Sequence, residues 1–134
     1  MSLQTWQEEF YKKHPSKRMT TKQAIEHSIQ KWIGLRKTNL KAHQIYREDA
    51  KLVDDNSESW FFVDTTTCAL CQKFFYLRDW VNENDEVNCP KCPLRGVLGN
   101  ECDYNYKSPY RIWRTSGNPE PMIRALKTAL EAYG

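Results

Sequence analysis

Residues 68–92 read CALCQKFFYLRDWVNENDEVNCPKC, and they contain two Cys-x-x-Cys pairs separated by 17 residues, Cys68/Cys71 and Cys89/Cys92. That spacing matches the paired knuckles of structural zinc sites. A two-residue interval lets both sulfurs of a tight turn reach one ion at about 2.3 Å, and two such turns complete a tetrahedron. Zn2+ is favoured over iron or unliganded thiols, and all-thiolate coordination would leave no open position for water, so the expected role is structural. Cys102 is a fifth candidate ligand. It follows Cys92 by ten positions, beyond Gly96-Val-Leu-Gly99, a stretch that could fold back to offer its sulfur. The other reading of Cys102 is a buried apolar thiol.

Working outward from this segment, Phe74–Leu77 suits a strand and Asn82-Glu83-Asn84-Asp85 a polar turn, which gives a zinc-ribbon-like layout. Upstream, Lys51-Leu-Val and Trp60-Phe-Phe-Val flank Asp54-Asp55-Asn56-Ser57, whose side chains hydrogen-bond their own backbone in turns; this predicts a β-hairpin leading to Cys68. Leu3, Trp6 and Phe10 have helical spacing behind a capping Ser2, with a stop near His14-Pro15. A second helix opens at Thr20, with Gln23 at capping-box spacing, and is expected to bury Ile25, Ile29, Trp32 and Ile33 before Gly34 ends or kinks it. Residues 38–46, with Leu40, Ala42 and Ile45, extend the helical pattern to Tyr46. Downstream, Ser108-Pro109 and Asn118-Pro119 each set a capping residue before a proline at a helix start, and Ile123, Leu126, Leu130 and Tyr133 mark the buried stripe of a last helix. The expected fold class is therefore α+β in a single domain over 1–134. Its parts are a basic helical part (1–50), a β-hairpin and zinc-binding part (51–107) and a C-terminal helical part (108–134).

A chain of 134 residues with 40% hydrophobic content is lean for a core closed by aliphatic packing alone, although 17 aromatic residues supply bulk. A metal staple would matter in such a chain. The start has neither a basic n-region nor an apolar h-region, and no run approaches the roughly 20 apolar residues that span a bilayer. We therefore expect no membrane association and a cytoplasmic location, where thiols stay reduced and paired Cys-x-x-Cys motifs point to metal.

The sequence from Cys68 to Tyr110, with Cys-Ala-Leu-Cys, Cys-Pro-Lys-Cys-Pro-Leu, Cys102 and Ser108-Pro109-Tyr110, resembles small uncharacterised proteins of tailed phages and prophages. The resemblance extends through Trp113 to Gly117-Asn118-Pro119-Glu120-Pro121-Met122-Ile123. It implies an intracellular, phage-encoded cysteine-cluster protein acting in the host cytoplasm, and it brings no activity with it.

Residues 1–53 hold 11 Lys/Arg against 5 Asp/Glu, whereas 54–134 hold 9 against 12. The N-terminal excess falls on Lys12, Lys13, Lys17, Arg18, Lys22, Lys31, Arg36, Lys37 and Lys41, interleaved with Trp6, Tyr11 and Trp32. Such a surface suits nucleic acid or an acidic protein, and also reads as a solvated helix face. A second class of function is a protein–protein inhibitor or adaptor acting on a host or defence complex, with Tyr104, Tyr106, Tyr110 and Trp113 beside Arg111 and Arg114 as hot-spot candidates. Spare apolar faces on the N-terminal helices leave a homodimer open. Enzymatic chemistry is not expected. The His-x-Glu of zinc deaminases does not occur, and the five glycines lack phosphate-loop spacing. His14, His27 and His43 all precede the cluster and are expected on helix surfaces or in hydrogen bonds.

Overall fold

The structure, a computed structural model, describes residues 2–12, 19–54, 60–63, 67–70, 93–98 and 108–133. Its elements in chain order are helix α1 (Leu3–Phe10), α2 (Thr21–Gly34), α3 (Lys37–Ala42), strands β1 (Ile45–Glu48), β2 (Lys51–Asp54) and β3 (Trp60–Phe62), then α4 (Pro93–Leu98), α5 (Pro109–Ser116) and α6 (Glu120–Tyr133). Helices and a small antiparallel sheet make the α+β class. Among the described residues no helix is long and apolar enough to cross a membrane.

Local chemistry starts the first two helices where the sequence places them. Ser2 Oγ accepts from the Thr5 amide while Thr5 Oγ1 accepts from the Ser2 amide, and Thr20 and Gln23 repeat this reciprocal cap at α2. Leu3, Trp6 and Phe10 are buried as their spacing predicts. The helix ends at Phe10, short of His14-Pro15, because Tyr11 leaves helical geometry and sets its ring edge-on to Phe61 and His27. In α2 the buried set is Ala24, Ile25, Ser28, Lys31, Trp32 and Gly34; Ile29 and Ile33, expected inside, are only partly covered. The helix is held between α1 and α6, which rotates its buried stripe.

The pattern over residues 38–46 is not one helix. α3 stops at Ala42, Gln44 takes a left-handed conformation (φ 57°), and Ile45 and Tyr46 enter β1. Backbone pairing unavailable to a helix explains the switch: Ile45, Tyr46, Arg47 and Glu48 stand opposite Asp54, Val53, Leu52 and Lys51. The hairpin read from the turn residues joins β2 to β3, with Val53 opposite Trp60, Leu52 opposite Phe61 and Lys51 opposite Phe62. The sheet order is β1-β2-β3. Asp54 at the end of β2 is buried, and its Oδ2 accepts from the Leu3 amide at 2.7 Å, placing a carboxylate at the N-terminus of α1.

In the C-terminal part Pro109 opens α5 and Gly117 closes it in a left-handed cap (φ 79°), its amide donating to Trp113 O. Asn118 Oδ1 accepts from the Glu120 amide, so α6 begins one residue after Pro119. α6 lies along α2, burying Met122, Ile123, Ala125, Leu126 and Ala129, and α4 rests against α6. Residues 93–98, including Gly96 of the Gly96-Val-Leu-Gly99 stretch, are helical, and the path from Gly99 to Cys102 lies outside the described residues. The expected strand at Phe74–Leu77 and the turn at Asn82–Asp85 lie outside the described residues.

Candidate nucleic-acid interface

Of the five cysteines, Cys68 alone falls among the described residues; Cys71, Cys89, Cys92 and Cys102 lie outside them. Cys68 is half-buried and follows the sheet, directly before the buried Ala69 and Leu70. The carbonyl of the preceding residue, Thr67, accepts from Lys31 Nζ at 3.2 Å. Lys31 is only 1% exposed, with its ammonium 5.7 Å from the Trp32 ring centroid, so this member of the expected basic set lies inside the fold beside the residue that precedes Cys68. A thiolate donor set of this kind fits zinc by ligand chemistry. Among the described residues no group of three or more His, Cys, Asp or Glu side chains is gathered for a metal. His43 is occupied otherwise: buried beside Phe10, it hydrogen-bonds Thr5 Oγ1 through Nδ1 (2.9 Å), and its Nε2 meets Glu9 Oε2 at 3.1 Å.

The remaining basic candidates separate by environment. Lys12 and Lys22 are exposed on α1's exit and on α2, and Lys13, Lys17 and Arg18 lie outside the described residues. Arg36 is taken up by Glu120, Nε to Oε1 at 2.7 Å. Lys37 and Lys41 are exposed one turn apart on α3 and share a groove with Arg47 of β1. This groove, of about 920 Å³, lies between α3, β1 and the end of α5; among the described residues three cationic side chains line it and no carboxylate does.

Arg47 is held rigidly for a surface arginine. Its Nη1 donates to Arg114 O (2.7 Å) and Asp49 O (2.9 Å), and its guanidinium lies 5.5 Å from the ring centroid of Trp113. A Cβ at Gly117 would stand 3.7 Å from both Arg47 Nε and Lys37 Cε, so the two cationic chains close on one glycine of the groove wall. Beside it, Arg114 clamps Asp49 with two bonds, Nε to Oδ1 at 2.7 Å and Nη2 to Oδ2 at 3.0 Å. The Arg114 hydrogen bond holds the Asp49 carboxyl below its ordinary range against an opposing desolvation penalty, with the charges of Arg114 and Arg47 acting in the same direction as the bond.

No protein family, curated protein or solved structure matches the chain.

Of the expected hot-spot aromatics, the two among the described residues, Tyr110 and Trp113, serve the interior. Trp113 is fully buried, edge-on to Trp32 at 5.3 Å, and Tyr110 donates its hydroxyl to Val63 O at 2.6 Å. Arg111 is exposed, and Tyr104 and Tyr106 lie outside the described residues. The exposed aromatics among the described residues are elsewhere: Tyr46 (44%), Trp60 (53%) and Phe62 (46%). They alternate with the inward-facing Ile45, Arg47 and Phe61, so all three project from the sheet face turned away from the core. Period-two alternation is the sequence signal for them. At Tyr46 the helical period running through Leu40, Ala42 and Ile45 masks it.

Proposed function

We propose that this chain is a small zinc-stabilised binding module for nucleic acid, encoded by a tailed phage and acting in the host cytoplasm without catalytic chemistry of its own. The groove between α3, β1 and α5 carries the reading. Three cations, with no carboxylate among the described lining residues, attract a polyanion, and Arg47, fixed by two carbonyls and an aromatic ring, presents its guanidinium without a large ordering cost. Lys37 and Lys41 of α3 add point charges on long stems to the same groove. The bound zinc supplies a structural crosslink. Cys68, Cys71, Cys89 and Cys92 are the four ligands that the spacing favours, with Cys102 as the rival for one position.

The test is binding of labelled DNA and RNA to the zinc-loaded protein over a salt series. We expect log affinity to fall linearly with log salt, and the double variant Lys37→Ser, Lys41→Ser to reduce the slope by about 0.7–0.9 for each phosphate that is no longer neutralised. Absence of binding to any DNA or RNA at low salt rejects the reading. An acidic protein partner captured equally well by the double variant would also place the function elsewhere.

A further inference from the structure

We infer that the ligand is single-stranded nucleic acid, with its phosphates along the α3–β1 groove and its unstacked bases on the outer face of the sheet. The inference rests on the nucleic-acid reading and narrows it. In the register of the sheet, Tyr46, Val53 and Trp60 form one cross-strand row, and Glu48, Lys51 and Phe62 form the next. Six side chains thus make a face carrying three aromatic rings and one pair of opposite charges. Tyr46 also lines the groove, so the aromatic face and the cationic groove adjoin at the edge strand β1.

Large rings are rarely left this open. Each of the three would contribute favourably to a core, and the fold does bury Phe61 between Trp60 and Phe62 while leaving its neighbours in solvent. Strands spaced by about 4.8 Å set Tyr46 and Trp60, two strands apart, at about 10 Å. The Trp60 and Phe62 ring centroids are 6.3 Å apart at 84°, so they offer differently oriented surfaces to successive bases.

The local charges fit the same ligand. Lys51 Nζ lies 4.9 Å from the Trp60 ring centroid and 4.0 Å from Glu48 Oε2, a loose, partly exposed pair whose ammonium can turn to a phosphate instead. A duplex keeps its bases stacked inside and has no use for the rings, whereas a single strand uses both the aromatic face and the cationic track. The basic groove adjoining the face selects this occupant over an apolar protein surface.

The experiment titrates the zinc-loaded full chain with labelled oligothymidylate, oligouridylate and a mixed-sequence DNA duplex of equal length. Single strands should bind at least about tenfold more tightly than duplex. Trp60→Ala and Phe62→Ala should each weaken single-strand binding by about 5- to 150-fold, the range for loss of one base–aromatic stack. Trp60→Phe should retain most of the affinity. Trp60→Leu, which stays apolar but has no π-face, should behave like the alanine variant. Because these residues are exposed, unchanged melting temperatures will separate lost binding from lost folding. Equal affinity for duplex and single strands, with no effect of Trp60→Ala, overturns this inference while leaving a salt-dependent nucleic-acid binder. Absence of binding to all three probes overturns the parent reading as well. A self-associated species in sedimentation that Trp60→Ala dissociates, with oligonucleotide affinity unchanged, would assign the face to a second copy instead.

Discussion

A Cβ placed on Gly34 would stand 2.5 Å from Phe10 Cγ and 2.7 Å from Phe10 Cβ, while Gly34 O accepts the indole proton of the fully buried Trp6 at 2.8 Å. Helix propensity alone would make Gly34→Ala stabilising by about 1 kcal/mol. Phe10 is buried, however, and its own Cβ is among the clashing atoms, so rotating the ring does not relieve the clash. Overpacking of this kind costs about 1–3 kcal/mol, and we expect a net loss of stability in urea denaturation. A gain would show that α1 shifts away without penalty. The sequence marks Gly34 as a helix end but gives no sign of its approach to Phe10, which depends on two helices crossing. Lys31 shows the same limit: on charge it belongs with Lys37 and Lys41, and only the carbonyl of Thr67, 36 positions away, explains its burial. Cys68, by contrast, is a candidate ligand through its neighbours in sequence, since knuckle spacing is a local property.

At the level of elements, features written in adjacent residues are legible and those requiring a distant partner are not. The caps of α1 and α2 and the proline opening α5 depend on side chains within three positions of the backbone they satisfy, and the sequence locates them closely. β1 reads as helix because Leu40, Ala42 and Ile45 continue a helical period, and the residue that breaks it, Gln44, is not one that usually adopts positive φ. The edge strand exists because β2 is there to receive it. The apolar stripe of α6 is legible because its period is unbroken, and here the expected consequence is quantitative. Leu126 is buried against the helical core, so Leu126→Ala should cost about 2–5 kcal/mol in chemical denaturation. An unchanged midpoint would show that α6 contributes little to the cooperative unit.

For the whole molecule, the proposed zinc site is expected to determine whether the fold persists. Structural zinc in small peptides supplies an apparent free energy of about 10–16 kcal/mol, as much as the entire stability of a typical domain. Chelation should therefore lower the melting temperature sharply, and Cys71→Ser or Cys89→Ser should reduce metal content as measured by mass spectrometry. Cys102→Ser distinguishes ligand from buried thiol by the same measurement. Four thiolates around one dication would take the formal charge from +3 to about +1, concentrating the remaining positive character in the N-terminal half. Since protons compete with the metal for thiolate, the stabilisation should be present at neutral pH and be lost as the pH falls, with zinc release preceding melting of the remaining fold. Stoichiometric metal retained in mild acid, or identical melts with and without chelator, would remove zinc from this account.

The bond from the Leu3 amide to Asp54 spans 51 positions of the chain. During synthesis at about 5–20 residues per second, α1 emerges roughly 3–10 s before the carboxylate that closes its first turn. Trp6 must also wait for Gly34, and Tyr11 for Phe61. This helix can therefore dock only once β2 and β3 have been made, and its two largest apolar side chains, Trp6 and Phe10, stay open to capture by chaperones or by other nascent chains until the hairpin arrives.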